Sequence, residues 1–484
     1  MIEIKKGLIP FWSETVIDPK QTTATLSVNR AVRAETVMTL DRPWEGNSGT
    51  YTTILHDGEK YRMYYQTCNL TAHERIPQIH VCYAESRDGL HWDTPNLGLC
   101  EWNGSKENNI VLLGINDNFS IMLDENPDCP REERYKAVLE GGFSSEFPDG
   151  KPPYRLVMLT SADGFHFQNK RIISRGYSYD SQNTLHWDRH RKKYYCYFRD
   201  TIKREISLNP EWRDSPVRAI RVMESEDCVH WSDPVLLDYC GGEEYPLYTN
   251  CVMKYPLDDR IFIGFPSRYV ERMRWSPNFD RLAGLALRRE RFETMPRLGL
   301  ATTDCVFMSS TDHYHWHRFD EAAITPGPEG GFNWFYGDCY PACGMPIPTP
   351  SAVVGEPEQL SLYVRTTHPE RPELKEITRY VYRREGFASY KATYRPQTLT
   401  TKTAVLTDCA SMRVNFRTSA RGYVYVTVED EQGVPIEGYR SCELFGDSLE
   451  RNVVFERPLS ELNGRPIRLR FDMSDAELYA MFFS

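Results

Sequence analysis

Long apolar runs are missing from this chain. Nowhere do about 18 consecutive apolar residues occur, so no membrane-spanning helix is expected. The start, Met1-Ile2-Glu3-Ile4-Lys5-Lys6-Gly7, lacks the apolar stretch of a secretory leader, and a cytoplasmic location is the expectation. A basic stripe is missing too. The formal net charge is −10, which argues against nucleic acid or an anionic membrane as a partner. The 13 cysteines contain no C-x-x-C pair, and the closest two, Cys339 and Cys343, have no second couple to complete a zinc site. Free, buried thiols and no metal centre are therefore expected. Helix signals are nearly absent.

What is present is a repeated turn. Ser86-Arg87-Asp88-Gly89-Leu90-His91-Trp92, Ser161-Ala162-Asp163-Gly164-Phe165-His166-Phe167, Ser225-Glu226-Asp227-Cys228-Val229-His230-Trp231 and Ser310-Thr311-Asp312-His313-Tyr314-His315-Trp316 share the template S-x-D-x-x-H-(W/F). Ser and Asp side chains accept hydrogen bonds from backbone amides that a tight turn would orphan, Gly permits positive φ, and the aromatic packs on a neighbouring sheet. Each copy lies between apolar runs, at separations of roughly 65 to 85 residues, which is the signature of a repeated supersecondary unit. The four His and the Asp residues of these turns are read as structural.

Strand and turn patterns divide the chain accordingly. Tyr51–Leu55, the turn His56-Asp57-Gly58-Glu59 and Tyr61–Gln66 form a hairpin, and Ile79–Glu85 adds a third strand. A second unit opens at Asn108-Asn109-Ile110, a third at Asp180, a fourth at Glu243-Glu244-Tyr245-Pro246 with a charged insertion near 270–300, and a fifth at Trp334–Asp338. Five units of roughly 70 residues predict an all-β fold, a five-bladed β-propeller over 1–390. Short alternating strands beyond it, with turns at Glu431-Gln432-Gly433 and Asn463-Gly464, predict a C-terminal β-sandwich over 391–484.

In a propeller the first strand of every blade lines one channel, so residues at the strand starts converge although they are distant in sequence. Here the starts are polar: Glu45 and Asn47; Glu107, Asn108 and Asn109; Asp180, Gln182 and Asn183; Glu243 and Glu244; Asp338. Converging carboxylates with aromatic walls suit glycosidic bond cleavage, in which one acid protonates the departing oxygen and a second carboxylate attacks the sugar carbon or activates water. Aromatics make up 13% of the chain, led by 29 Tyr, although strand propensity alone also favours them.

With these features the chain resembles the glycoside hydrolase clans built on five-bladed propellers, the fructosidase/invertase family and the arabinanase/xylosidase family. Asp57–Gln66 is similar to the segment that follows the fructosidase nucleophile motif, Tyr179-Asp180-Ser181 stands where its R-D-P aspartate occurs, and Glu244-Tyr245-Pro246 stands where its E-C-P acid occurs. The chain departs from the family in having no W-M-N-D-P-N-G, no R-D-P and no E-C. Asp41 and Glu45 both lie near the nucleophile position, and Glu45 is preferred.

The resemblance implies a glycosidase acting on a furanoside or small oligosaccharide, with no organic cofactor. Glu244 would be the general acid, Glu45 the nucleophile or base, and Asp180 the residue that orients hydroxyls and stabilises positive charge. Asn47, Gln182, Asn183, Arg268, Asp304, Trp334 and Asp338 would contact substrate. Arg199-Asp200, at the end of a strand, is read as substrate-contacting or structural. Two alternatives stay open: a glycoside phosphorylase or transglycosidase on the same fold, and a non-catalytic propeller that binds carbohydrate or a protein partner.

Overall fold

The computed structural model describes residues 2–48, 51–68, 79–146, 154–203 and 216–484. Strands dominate, and the helices are Leu285–Thr294, Pro296–Leu300 and short 3-10 turns. The chain forms two compact units, Met1–Arg30 with Tyr382–Ser484, and Ala31–Val381. The expected division, 1–390 and 391–484, did not anticipate the N-terminal part of the first unit. Gly7–Pro10 pairs with the far end of Pro466–Phe483, and Thr25–Val28 pairs with Ala388–Ala392. Such pairings join the two ends of the chain and leave no local pattern to read.

In this smaller unit two 18-residue strands, Met412–Glu429 and Pro466–Phe483, pair along most of their length within one ten-stranded sheet. Along the polar stretch Thr418–Gly422 the ladder slips register between Thr418 and Tyr423 and then continues. Val414, Phe416, Val424, Val426 and Val428 of one strand meet Leu469, Phe471 and Met473 of the other in a single core.

The larger unit holds the repeated turns and is built from antiparallel sheets. A seven-stranded sheet runs from Thr52–His56 through Tyr61–Cys68, Ile79–Ser86, Ile110–Leu123, Tyr135–Phe143 and Arg155–Ser161 to Phe167–Arg175. Ile110–Leu123 serves two neighbours in succession. Its first half pairs with Ile79–Ser86, its second half pairs with Tyr135–Phe143, and the register breaks around Asp117. A four-stranded sheet follows, Thr184–Asp188, Lys193–Ile202, Val217–Ser225 and Val235–Leu236. The next comprises Val252–Tyr255, Asp258–Gly264, Met308–Ser310 and His317–Arg318. The charged insertion carries both helices and the two-stranded ribbon Ser267–Glu271/Ala301–Cys305. In the last sheet Tyr340–Pro341 and Ile347–Thr349 lie against Gln359–Thr367, followed by Lys375–Tyr382 and then Val32–Leu40, a strand from the other end of the unit.

Two strand starts differ from the expected ones. Asn108 and Asn109 precede the half of Ile110–Leu123 that pairs backward; the half that pairs forward begins beyond Asp117. The fourth opening strand begins at Val252, well past Glu243 and Glu244.

The repeated turns share one geometry. In the first, Ser86 Oγ accepts from the Gly89 amide at 2.8 Å, Asp88 Oδ1 accepts from the Leu90 and His91 amides at 2.8 and 2.9 Å, and Asp88 Oδ2 meets His91 Nδ1 at 2.7 Å. The other three copies repeat the set. The fourth position of each turn has positive φ, at Gly89, Gly164, Cys228 and His313. Turns also seat on a neighbouring sheet. A Cβ at Gly164 would fall 2.5 Å from the Tyr64 hydroxyl, the His313 ring stacks on Tyr195, and the Tyr363 hydroxyl of the last sheet donates to the Gly89 carbonyl of the first.

Gly164→Ala therefore meets both an unfavourable backbone and an occupied space, whereas Gly58, also at positive φ, has open space around it. Chemical denaturation should show Gly164→Ala losing about 1–3 kcal/mol and more than Gly58→Ala. Equal losses would mean that the seat of the turn contributes nothing.

Candidate active site

The starts of four sheets meet around Gln182. Its Nε2 donates to the Thr52 carbonyl at 2.8 Å, and the Cys251 thiol donates to its Oε1 at 3.3 Å. The Cys343 amide donates to the same Thr52 carbonyl, and the Cys251 thiol also reaches the Pro341 carbonyl. Asn183 is equally buried; its Nδ2 donates to the Tyr179 carbonyl and its own carbonyl accepts from Ser120 Oγ. Gln182 and Asn183, expected to touch substrate, instead tie backbone to backbone. Polar residues begin these strands because the carbonyls and amides of neighbouring sheets converge there and need partners.

A cluster of carboxyl groups lies beside this junction. Gln66 Nε2 donates to Asp117 Oδ1 at 2.5 Å, and the Asn118 amide donates to the same oxygen at 2.7 Å. Asp117 stands opposite Glu140 in the ladder, and Asn118 Nδ2 donates to Glu140 Oε2 at 3.1 Å. Asp180 is the third member. Its side chain is 57% exposed and pairs with the buried Arg199 guanidinium at 3.0 Å.

Burial, then the charge of Asp180, raises Asp117 to about 7, against the lowering effect of Gln66, Asn118 and Arg199. Burial, then Asp180 and Asp117, raises Glu140 to about 8, with Arg199 and Asn118 opposing. The Tyr51 hydroxyl, raised chiefly by burial, also feels Asp117 and Asp180. These groups thus share one electrostatic environment. Tyrosines line it: Tyr340 stacks on Tyr51 at 6.4 Å and on Tyr248 at 5.6 Å, and Arg199 lies 5.4 Å from the Tyr248 ring centre.

Of the trio expected to act together, only Asp180 belongs here. Glu45 is buried; its Oε1 accepts from the Tyr65 hydroxyl at 2.6 Å and its Oε2 from the Arg42 amide at 3.0 Å. Tyr65 and Gln66 are successive residues of Tyr61–Cys68, so their side chains leave opposite faces of the strand. Tyr65 holds Glu45 and Gln66 holds Asp117. Glu45 is therefore a capping group on the far face, within a network that continues from Tyr65 to Asn109 and Trp44. Asp41, the other nucleophile candidate, is exposed. Glu244 lines a small cavity of about 40 Å³ with Arg218, Tyr239, Tyr245, Leu247 and Arg318.

The remaining candidates are dispersed. Arg268 and Asp304 face each other across the inserted ribbon in a two-pronged ion pair at 2.9 and 2.7 Å, a pairing that occupies both. Asp338 is buried, accepting from the Phe335 amide and the Thr367 hydroxyl. Trp334 donates from Nε1 to the Gly327 carbonyl. Asn47 is half-buried next to Ser48, whose backbone pairs with Cys68. Asp200 pairs with Arg221 at 2.7 Å, while Arg199 reaches the cluster. Among the described residues no group of three or more His, Cys, Asp or Glu is arranged to hold a metal ion.

Asp117 and Glu140 were missed by sequence reading. The signals were present: Asn116-Asp117-Asn118 interrupts an apolar run, and Glu140 ends the buried strand sequence Ala137–Leu139 just before Gly141-Gly142.

No family model and no curated protein sequence matches this chain. Solved structures similar to it include an N-acetylgalactosamine deacetylase from F. plautii in complex with blood group B trisaccharide. That match has 11% identity and a TM-score of 0.45, and it covers 72% of this chain and 94% of the other. An exo-β-1,3-galactanase from Phanerochaete chrysosporium with β-1,3-galactotriose is similar at 9% identity and a TM-score of 0.40, covering 94% and 100%. An α-L-arabinofuranosidase from Fusarium graminearum with an iminosugar inhibitor is similar at 11% identity and a TM-score of 0.38, covering 73% and 99%. At TM-scores below 0.5 these likenesses leave the chemistry to the site's own side chains.

Proposed function

We propose that the chain is a glycoside hydrolase whose larger unit is a five-bladed β-propeller, acting on a furanoside or small oligosaccharide. The observation that carries this reading is the pair Asp117 and Glu140, which hold protons near neutral pH, beside a third carboxyl group, Asp180, which is 57% exposed and meets Arg199 at 3.0 Å. Glycosidic cleavage needs one carboxyl group that donates a proton and a second that acts as nucleophile or base. The seven-stranded sheet, taken as two blades joined by Ile110–Leu123, the two four-stranded sheets and the last sheet, whose Tyr363 hydroxyl bonds to the Gly89 carbonyl of the first, support the propeller. The sandwich reading of the smaller unit is supported by its two long paired strands folded over one core.

In this mechanism a sugar ring lies against the tyrosine wall. Asp117, the partly exposed member of the proton-holding pair, delivers its proton to the departing oxygen, and Glu140 behind it helps to keep that proton in place. Asp180 supplies the carboxylate, as nucleophile or as base toward water, and Arg199 holds it in position. Glu45 and Glu244 have no part in the reaction.

A screen of aryl glycosides and oligosaccharides, with products followed by NMR, identifies the substrate and the anomeric outcome. On the substrate so found, Asp117→Asn and Asp180→Asn should each lower kcat by about 10²–10⁴-fold. Glu45→Gln and Glu244→Gln should stay within about threefold of the wild type, on the scale of such catalytic losses. Full turnover in both Asp variants would end the hydrolase assignment.

The proton-holding pair also sets a pH dependence. Both groups bind protons more tightly folded than unfolded, so their contribution to stability is complete below about pH 4 and is lost as pH rises through 7 to 8. The melting temperature of the wild type should fall between pH 5 and 9 more steeply than that of the double variant Asp117→Asn/Glu140→Gln, which has nothing to ionise there. Activity should decline over the same alkaline range. Parallel melting curves for the two proteins would remove the proton-holding pair from the mechanism.

A further inference from the structure

Three guanidinium groups surround the tyrosines next to the carboxyl cluster. Tyr248, Tyr269 and Tyr336 pack together, and the Tyr248 and Tyr336 hydroxyls lie 2.6 Å apart. Arg199 stands 5.4 Å from the Tyr248 ring centre. Arg218 stands 4.5 Å from that of Tyr269 and 5.6 Å from that of Tyr248, and Arg297 stands 5.5 Å from that of Tyr336. Three elements contribute them: Lys193–Ile202, Val217–Ser225 and the inserted helix Pro296–Leu300.

The compensating negative charge is sparse. Arg199 pairs with Asp180, and Glu271 takes the Tyr269 hydroxyl at 2.7 Å. Among the described residues neither Arg218 nor Arg297 has a carboxylate within ion-pair distance, although both are only half-buried in a chain whose net charge is −10. Most other arginines of this unit that come as close to an aromatic ring are tied to a carboxylate or carbonyl: Arg221 to Asp200, Arg268 to Asp304, Arg318 to Asp320. Ring faces favour a cation but do not neutralise it. Arg297 donates its Nε to Met295 Sδ at 3.1 Å, and the remaining N–H groups of these two planar, half-buried guanidiniums suit an incoming oxyanion, which they bind through charge-assisted hydrogen bonds.

We infer that Arg218 and Arg297, with Arg199 behind them, form an oxyanion subsite beside Asp180, occupied either by a free phosphate or by the carboxylate of an acidic sugar. This rests on the carbohydrate reading of the neighbouring site and extends it by giving the substrate, or a co-substrate, a negative charge. Arg199 links the two regions, because one guanidinium contacts both Asp180 and Tyr248. Arg218 and Arg297 are binding residues; neither is assigned a part in the proton transfers.

The test is calorimetric and needs no turnover. The full chain is titrated with inorganic phosphate, glucuronate, galacturonate and neutral galactose, and the same ligands are run against Arg218→Gln, Arg297→Gln and the double variant, each checked for an unchanged melting temperature. At least one anion should bind at least tenfold tighter than galactose, and the double variant should abolish that difference. Phosphate as the tighter ligand would identify a free co-substrate, and a uronate would identify a charged sugar. Anions binding no tighter than galactose, or anion affinity untouched in the folded single and double variants, overturns the subsite. Asp117→Asn separates the two readings, since it should lose turnover and keep anion binding. Anion binding with no glycosidase activity in any protein would sink the hydrolase proposal and leave the subsite standing.

Discussion

A strand that changes partner midway cannot keep a single ladder, and most of the site follows from how Ile110–Leu123 solves that problem. At the change of partner the backbone must turn, so Asn118 adopts φ 66°, a conformation that Asn tolerates better than most residues. The amides of Asn118 and Phe119 lose sheet partners there, and Gln66 Oε1 accepts from both, at 2.9 and 3.3 Å. The same Gln66 offers its amide nitrogen to Asp117. Repair of the broken ladder therefore brings a carboxyl group into the junction and fixes its orientation. Glu140 is held by the side chain of the residue that makes the turn.

Local hydrogen bonding was the part of this structure legible in the sequence. Each S-x-D-x-x-H-(W/F) turn satisfies its own amides within a few residues, so its pattern survives whatever packs around it. Strand sharing was not legible, because nothing in Ile110–Leu123 announces that the pairing partner changes midway. The polar pair Asn108-Asn109 was therefore taken as the opening of a channel strand, when those residues bond to the Cys100 and Tyr83 carbonyls. The change of partner falls instead at the triplet Asn116-Asp117-Asn118. Glu45 failed for a different reason: alternation along Tyr61–Cys68 assigns Tyr65 and Gln66 to opposite faces, and sequence alone does not say which face looks toward the junction.

Of the expected trio Asp180 alone lies in the carboxyl cluster, shortly before the strand Thr184–Asp188. Its surroundings still changed its role. Arg199, read as substrate-contacting or structural, is the cation that balances it. Without Arg199 the charges of Asp117, Glu140 and Asp180 would share one confined space with nothing to oppose them. Arg199 is itself buried and leans on the Tyr248 ring, so it is a fixed positive charge and not a mobile one.

Burial raises Asp117 and Glu140, and the third carboxyl group of the cluster sits in a different geometry. Asp180 keeps most of its side chain in solvent and has a guanidinium at 3.0 Å. Glu140 is nearly sealed, and its amide partner, Asn118 Nδ2, is neutral and shared with the Tyr179 carbonyl. The guanidinium of the cluster is spent on Asp180, whereas the side-chain partners of Asp117 and Glu140 are neutral amides. Further positive charge at that rim, on Arg218 and Arg297, would have collapsed onto carboxylates had any been within reach. Instead it lies against tyrosine rings, and in the proposed reading a ligand that spans the proton-holding pair and these arginines carries both an oxygen to protonate and a negative group to anchor.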